Sequence, residues 1–535
     1  MNLVIRQILE KISLNYLLVL IIAIYSFYIN WTSANVGVMA IDTFGFFDTG
    51  FSILKNKLPI RDFWIFTGLF VDYLQAFFFL VFGKTWSSYV FHASFFNVVG
   101  SLGFYFFLRQ LDLNKFFSLL YALSFATLCY PVSGTPFAYL HSYILSLISI
   151  FVLCIAIKKT NLNLWFILPI ICFLAFFSMQ TPSAYIILII IFFSFYFFIK
   201  NKNFKSFKMF LLGGVISILF LFFYILITKT PVENFLYQYF LFPLSIGEER
   251  ILSNSGAYVS LIDQINFKRL IVDFKFIHVF YFPLIFLTAK MFLEKKGENY
   301  LKILNIIIIL SIVAFMFNQL VTANQVYIFS LIPIIASILH INLKKIRAYY
   351  FFFILLIFLV LSFVTTKYHH RYNVDRKFLD LENIDKSKAI NAEIISKKMK
   401  HLKWITPYDN PQKELTLLKN VVEHLRKDER QKILITHYQF ISTVLNEDLN
   451  LLNRWYLWGN DTHPTETHKH FFFYKKMVNK NIKENNIQVI YLLGQKKEIL
   501  FKHVKNYFTE KCFKSKTLVR NRFSSHEIVD CKELK

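Results

Sequence analysis

The sequence predicts a polytopic α-helical membrane protein with about eleven crossings, one further juxtamembrane helix and a small C-terminal α/β soluble domain. Three observations lead there. Apolar runs long enough to span a bilayer recur through the first part of the 535-residue chain, which is 56% hydrophobic and contains 65 Phe. The charges of that part gather in short loops, and basic loops alternate with loops that lack Lys and Arg. Beyond Thr366 no apolar run is long enough to cross. This pattern excludes a wholly soluble chain and a disordered one. Five Cys exclude a disulfide scaffold.

Taken in order, the predicted crossings are 14–31, 89–108, 115–131, 137–157, 163–179, 183–199, 208–228, 276–293, 302–320, 324–341 and 347–366. No small-residue cleavage site follows the first, so it reads as a retained span and not a signal peptide. Basic clusters fall at Arg6 and Lys11, Arg109 and Lys115, Lys158 and Lys159, Lys200 to Lys208, Lys290 to Lys302, and Lys344 to Arg347. The turns 131–136, 180–183 and 321–323 carry no Lys or Arg. The positive-inside rule places the basic set in the cytoplasm and the uncharged turns outside. The first outer loop is then 32–62 and the long later one 229–275. Parity allows only one crossing between 62 and Arg109. The apolar stretch 63–83 is the one assigned to the interface, because it carries Asp72 and many aromatics.

Residues 1–366 thus form the membrane domain and 367–535 a domain outside, in the periplasm. The tail carries 33 Lys/Arg against 20 Asp/Glu and ten of the fourteen His. Lys432–Ile441 and Gln488–Leu493 read as strands, and Glu414–Leu425 spaces its apolar residues as a helix, which together predict a small parallel or mixed sheet. Cys512 and Cys531 could bridge two adjacent strands of an exported domain or stand as two thiols. The net charge of +26 resembles that of a nucleic-acid binder. Its placement in cytoplasmic loops and in a tail beside an anionic membrane points to orientation and a lipid surface instead, with no nucleic-acid partner.

The chemistry-bearing residues concentrate in the first outer loop, which holds Asp42, Asp48, Asp62 and Arg61 in an acid-poor half. A carboxylate there can act as general base on an acceptor hydroxyl or amine, or hold a divalent cation; no cofactor is otherwise indicated.

With Asp42 after the first span, then Pro59, Arg61, Asp62 and Phe63, then Gly68, this stretch resembles the first periplasmic loop of GT-C glycosyltransferases. These are the membrane enzymes that include protein O-mannosyltransferases and lipid A aminoarabinose transferases. The resemblance covers about 40 residues by motif and the membrane half by hydropathy. It implies a bacterial inner-membrane glycosyltransferase. Such an enzyme moves a sugar from a polyprenyl-phosphate donor to a periplasmic lipid, glycan or protein acceptor. Asp42 would be the catalytic base, with Asp48 and Asp62 as second candidates. Two positions depart from the family: Thr43 stands where a Glu is common, and Met179 precedes Gln180 where a Lys is common.

Other residues are candidates for donor or acceptor binding. His141 and Gln180 lie at outer turns, and Gln319 and Asn324 flank the last uncharged turn. Amides at that depth need partners or a wet cavity. Arg250 and Arg269 in 229–275 suit a lipid phosphate, which a guanidinium grips bidentately. In the tail, Trp455, Tyr456 and Trp458 could stack on sugar rings or fill a core, and the His-rich run 463–470 matches no zinc spacing. Alternative readings are a flippase or transporter of lipid-linked sugars, an O-antigen ligase or polymerase, and a non-catalytic membrane scaffold.

Overall fold

The structure, a computed structural model, describes every residue except 1, 253–262, 264, 295–297, 323–325, 345–349, 376, 379–380, 457–460, 495–505, 509–511 and 532–535. The membrane half is helical: α1 (Asn2–Ala34), α2 (Ala40–Thr43), α3 (Phe47–Leu54), α4 (Leu69–Phe82), α5 (Trp86–Gln110), α6 (Lys115–Cys129), α7 (Ala138–Lys159), α8 (Leu162–Ser178), α9 (Gln180–Lys200) and α10 (Phe204–Thr228). After these come α11 (Val232–Leu236), α12 (Phe242–Leu252), α13 (Lys275–Leu293), α14 (Asn299–Thr322), α15 (Leu331–Leu343) and α16 (Tyr350–His369). Short polar side chains start many of them. Thr85, Asn114, Asn161 and Asn203 each accept a backbone N–H from the first turn of α5, α6, α8 and α10.

Among the described residues, eight helices are long and apolar enough to cross a membrane, which gives the chain the build of a helical membrane protein. They coincide with eight of the eleven expected crossings. The other three, 115–131, 163–179 and 324–341, fall on shorter apolar helices. The stretch 63–83 is also a shorter helix, and it begins only at Leu69. At about 1.5 Å per residue, α4 is about 21 Å long, less than the ~30 Å hydrocarbon core. The loop 229–275 is not extended coil: α11, a π-helical turn at Tyr237–Leu241 and α12 occupy it.

Among its described residues the tail contains α17 (Pro411–Lys427), α18 (Ile441–Leu445), α19 (Phe471–Glu484) and six strands: β1 (Ile390–Asn391), β2 (Lys403–Trp404), β3 (Lys432–Thr436), β4 (Val489–Leu493), β5 (Cys512–Val519) and β6 (Phe523–Val529). Asn410 caps α17, and Pro411 fills its first turn, where no N–H is needed. The main sheet has the order β3-β4-β6-β5, with β3 and β4 parallel and the rest antiparallel. The strand-like run 432–441 yields a shorter strand than expected. It ends at Thr436, whose hydroxyl accepts the N–H of Tyr438 at 3.0 Å and turns the chain into α18. Cys512 and Cys531 are disulfide-bonded at the outer end of the β5–β6 hairpin, with Cα atoms 5.0 Å apart.

Two large apolar clusters organise the molecule. One lies among α5–α9 and α13–α16. The second joins Phe44, Phe47, Trp86 and Tyr89 of the membrane half to Trp404, Phe440, Leu418 and Tyr491 of the tail. The segment 32–62 therefore contributes to the tail's core.

Candidate functional site

The chain leaving α1 is stitched to the tail by its backbone. Lys403 donates to the carbonyl of Asn35 at 2.8 Å, and Val38 donates to that of Ile405 at 2.9 Å. Phe44 then stacks on Trp404, centroids 5.9 Å apart, and touches Phe440 at 4.7 Å. A second stitch lies at 64, where Trp64 donates to Leu452 at 2.7 Å and Arg454 returns to Trp64 at 3.3 Å. Between the stitches stand α2, carrying Asp42, and α3, carrying Asp48.

The three acidic candidates have different surroundings. Asp48 is buried, 3% exposed. Its carboxylate accepts the N–H of Ser442 at 3.2 Å, the N–H of Thr443 at 2.9 Å and the Thr443 hydroxyl at 2.6 Å, so it caps α18 from another part of the chain. Burial pushes its pKa up to about 6, against the pull of the Thr443 and Ser442 bonds. Asp62 is gripped by the neighbouring Arg61 and accepts the Leu58 N–H at 2.6 Å. Arg61 also donates to the carbonyls of Thr228 and Asn56. These two close the loop against α10. Asp42 is half-buried on the four-residue α2, at the seam with the tail.

That seam is shaped by Trp455 and Arg454. Trp455 Nε1 donates to the Ile41 carbonyl, next to Asp42, at 3.0 Å. A Cβ on Gly45 would come 2.8 Å from the same nitrogen, so Gly is required for this approach. The Arg454 guanidinium lies over the rings of Phe46 (4.4 Å) and Trp455 (5.0 Å) and pairs with Asp72. Asp72 also accepts the Thr49 hydroxyl at 2.6 Å. Ile41, Phe44, Gly45, His437, Gln439, Arg454 and Trp455 converge closely there. Burial pushes His437 down to about 4, so its ring is neutral at neutral pH.

Several other candidates are linked to this seam through hydrogen bonds. Arg454 donates to the Thr67 carbonyl, and the Thr67 hydroxyl donates to Ser178 at 3.3 Å. Gln180, two residues on, donates to the carbonyls of Phe66 (2.8 Å) and Tyr239 (3.0 Å). It therefore ties 63–68 to the π-helical turn. Ser142, next to His141, donates to the Met179 carbonyl at 3.0 Å. His141 is fully buried, with Nδ1 2.9 Å from the Phe137 carbonyl and Nε2 2.9 Å from His92 Nε2. Arg250 reaches Tyr139, two residues before His141, at 3.5 Å. Asp461 lies within Arg250's field; burial pushes it up to about 6 while Arg250 draws it back.

The remaining candidates are not joined to the series. Arg269 sits in the π-helical segment Lys268–Asp273, and among the described residues no hydrogen bond links it to the seam. Gln319 is near the end of α14, with its side-chain oxygen buried and unbonded among the described residues. Asn324 and Trp458 lie outside the described residues. Tyr456 is buried in the tail core, where its hydroxyl accepts the N–H groups of Leu452 and Asn453; it is not a sugar platform. Among the described residues, no group of three His, Cys, Asp or Glu is arranged to hold a metal. Sequence reasoning missed Arg454, His92, His437 and Gln439. His92 stands out only as a polar residue among apolar neighbours, and His437 lies in a strand-like run beside Thr436 and Gln439. Arg454 is one basic residue among many.

No protein-family model matches this chain, and no curated protein matches it.

Proposed function

We propose that the chain is an integral-membrane glycosyltransferase that moves a sugar from a polyprenyl-phosphate donor to an acceptor on the periplasmic side. In this reading it crosses the bacterial inner membrane eleven times, and its tail is exported. One observation carries the reading. Asp42 is partly exposed on a short helix held between the membrane half and Trp455, whose indole donates to the neighbouring Ile41 carbonyl. The Cys512–Cys531 disulfide supports an oxidising compartment for the tail.

In the proposed step the acceptor's hydroxyl or amine attacks the anomeric carbon. Asp42 takes the nucleophile's proton as the new bond forms. The bond from that carbon to the phosphate oxygen breaks, and polyprenyl phosphate leaves with the electron pair. Direct displacement inverts the anomeric centre. Arg250, beside Tyr139 and within the field of Asp461, is the cation proposed to meet the donor phosphate. Mass spectrometry of envelope glycans in a deletion strain, complemented with wild type or Asp42→Asn, tests the reading. It requires a product that wild type restores and the variant does not.

The buried His92–His141 pair favours a second reading, a transporter of lipid-linked sugars, because it places two ionisable groups inside apolar helices. Flipping of a labelled lipid-linked sugar in proteoliposomes, lost in His92→Ala, would favour that reading over transfer.

A further inference from the structure

A second site lies where α4 ends. This helix buries one face in the protein, through Val71, Gln75, Ala76 and Phe79. Its other face is apolar too, and it is open: Phe77 is 54%, Leu80 72%, Val81 54% and Phe82 50% exposed. A helix of 14 residues is too short to span a bilayer, and an open apolar face of this kind meets acyl chains. Gly83 ends α4, and Lys84 follows at once.

Three lysines gather at that end. Lys84 and Lys55 both hold their ammonium groups over the ring of the buried Phe51, 5.1 and 5.6 Å from its centroid. Lys84 also donates to the Asn446 side chain at 3.2 Å, and Lys398 donates to the Thr443 carbonyl at 2.6 Å. All three therefore stand around the last turn of α18. Burial draws the pKa of Lys398 down; the fields of Lys84, Lys55 and Arg426 add to that, against the pull of Asp48.

Like charges held this close repel one another unless an anion sits among them. The nearby carboxylates do not fill that place. Asp48 is buried, and its oxygens already accept from Ser442 and Thr443. Asp448 lies in the fields of Lys57 and Lys55 and offsets charge on that side only. The hydrogen bonds of Lys84 and Lys398 go to an amide oxygen and to carbonyls, which cancel no charge. An ammonium has three N–H groups, so both keep a donor after these bonds.

The geometry points to a binding site for an anionic glycerophospholipid at this corner. Lys84 and Lys398 take the phosphate, Lys55 adds its field, and an acyl chain lies along Leu80, Val81 and Phe77. A zwitterionic headgroup fits less well, because its own ammonium would face the lysines. The site rests on neither Asp42 nor sugar transfer. A lipid held there would tie α3, α4 and α18 to the membrane surface.

Native mass spectrometry of the full-length protein in detergent tests it. Phosphatidylglycerol, phosphatidylethanolamine, phosphatidylcholine, a polyprenyl phosphate and inorganic phosphate are each added at equal concentration. Phosphatidylglycerol should be retained roughly tenfold over the two zwitterionic lipids, the scale of one to two cations beside an anionic headgroup. Lys55→Gln with Lys84→Gln leaves the bonds of Lys398 to α18 in place and should abolish most of that preference. Lys202→Gln with Lys205→Gln, an equal loss of charge at the α9–α10 turn, should preserve it. Equal retention of the three glycerophospholipids by the wild-type protein overturns the proposal without any variant, and so does an equal fall in both variants. Displacement by inorganic phosphate would reduce the corner to an anion site, and stronger retention of the polyprenyl phosphate would assign it to the donor; either result overturns the proposal.

Discussion

Arg454 of the tail and Asp72 of α4 form an ion pair that is almost wholly removed from solvent, at 1% and 0% exposure. The two residues are 382 positions apart. Thr49 holds the second carboxylate oxygen, and the rings of Phe46 and Trp455 flank the guanidinium. A buried pair contributes little over an apolar replacement, but breaking one side leaves a stranded charge. Arg454→Met should therefore destabilise the assembly by about 3–5 kcal/mol. Adding Asp72→Asn should recover much of that loss, because no carboxylate then remains buried without a cation. Thermal unfolding of the three variants in detergent, followed by Trp fluorescence, gives the comparison. Additive losses would contradict the pairing.

Asp48 makes the docking of the first loop on α18 pH-dependent. Its folded pKa is raised from 3.8 to about 6 by burial. Below pH ~4 the carboxyl is protonated both folded and unfolded. As pH rises the unfolded chain ionises first, so the stability present in acid is lost as pH passes through about 6. Asp48→Asn should flatten that slope. It should also cost about 1–3 kcal/mol, since an amide NH₂ replaces one of the oxygens that accept from Ser442 and Thr443. Melting temperatures at pH 4, 5, 6 and 7 for both proteins measure it; parallel curves would count against the assignment.

Gly45 leaves Trp455 room to reach Ile41. In Gly45→Ala the new methyl meets Trp455 Nε1 at 2.8 Å, and the indole or α2 must move. Overpacking of this kind costs about 1–3 kcal/mol. Because α2 carries Asp42, the proposed transfer should fall by roughly a hundredfold, the scale of a 1 Å misplacement. Product formation and melting temperature, measured on the same preparation, separate the two effects. Wild-type activity in this variant would detach Asp42's placement from Trp455.

The disulfide closes a 19-residue separation. Removing it with Cys512→Ser should destabilise the β5–β6 hairpin by about 3 kcal/mol, on the chain-entropy account of a loop near that length. Maleimide labelling of intact cells with and without reductant reads both the bond and the compartment. The proposed export requires labelling only after reduction. Labelling of both thiols without reductant would contradict it.

Much of the fold was legible because it rests on local chemistry. Hydropathy alone locates the apolar helices, and the spacing of apolar residues in 414–425 marks α17. The ends of elements were less legible. The run 432–441 is rich in strand-forming residues, and the Thr436 hydroxyl bond to Tyr438 marks where the strand stops. The seam was not legible at all. Asp48, Asp62 and Asp72 look alike in sequence, but they find partners at 442–443, 61 and 454 respectively. Asp48 and Asp72 are buried by long-range partners that no local pattern encodes, while Asp62 is held by its neighbour Arg61 and stays partly exposed.

The most direct measurement compares Asp42→Asn with wild type in a deletion strain, reading membrane abundance of the protein together with envelope glycans by mass spectrometry. The account predicts wild-type abundance and melting temperature for the variant, with the glycan product missing. An undiminished product in Asp42→Asn would contradict it.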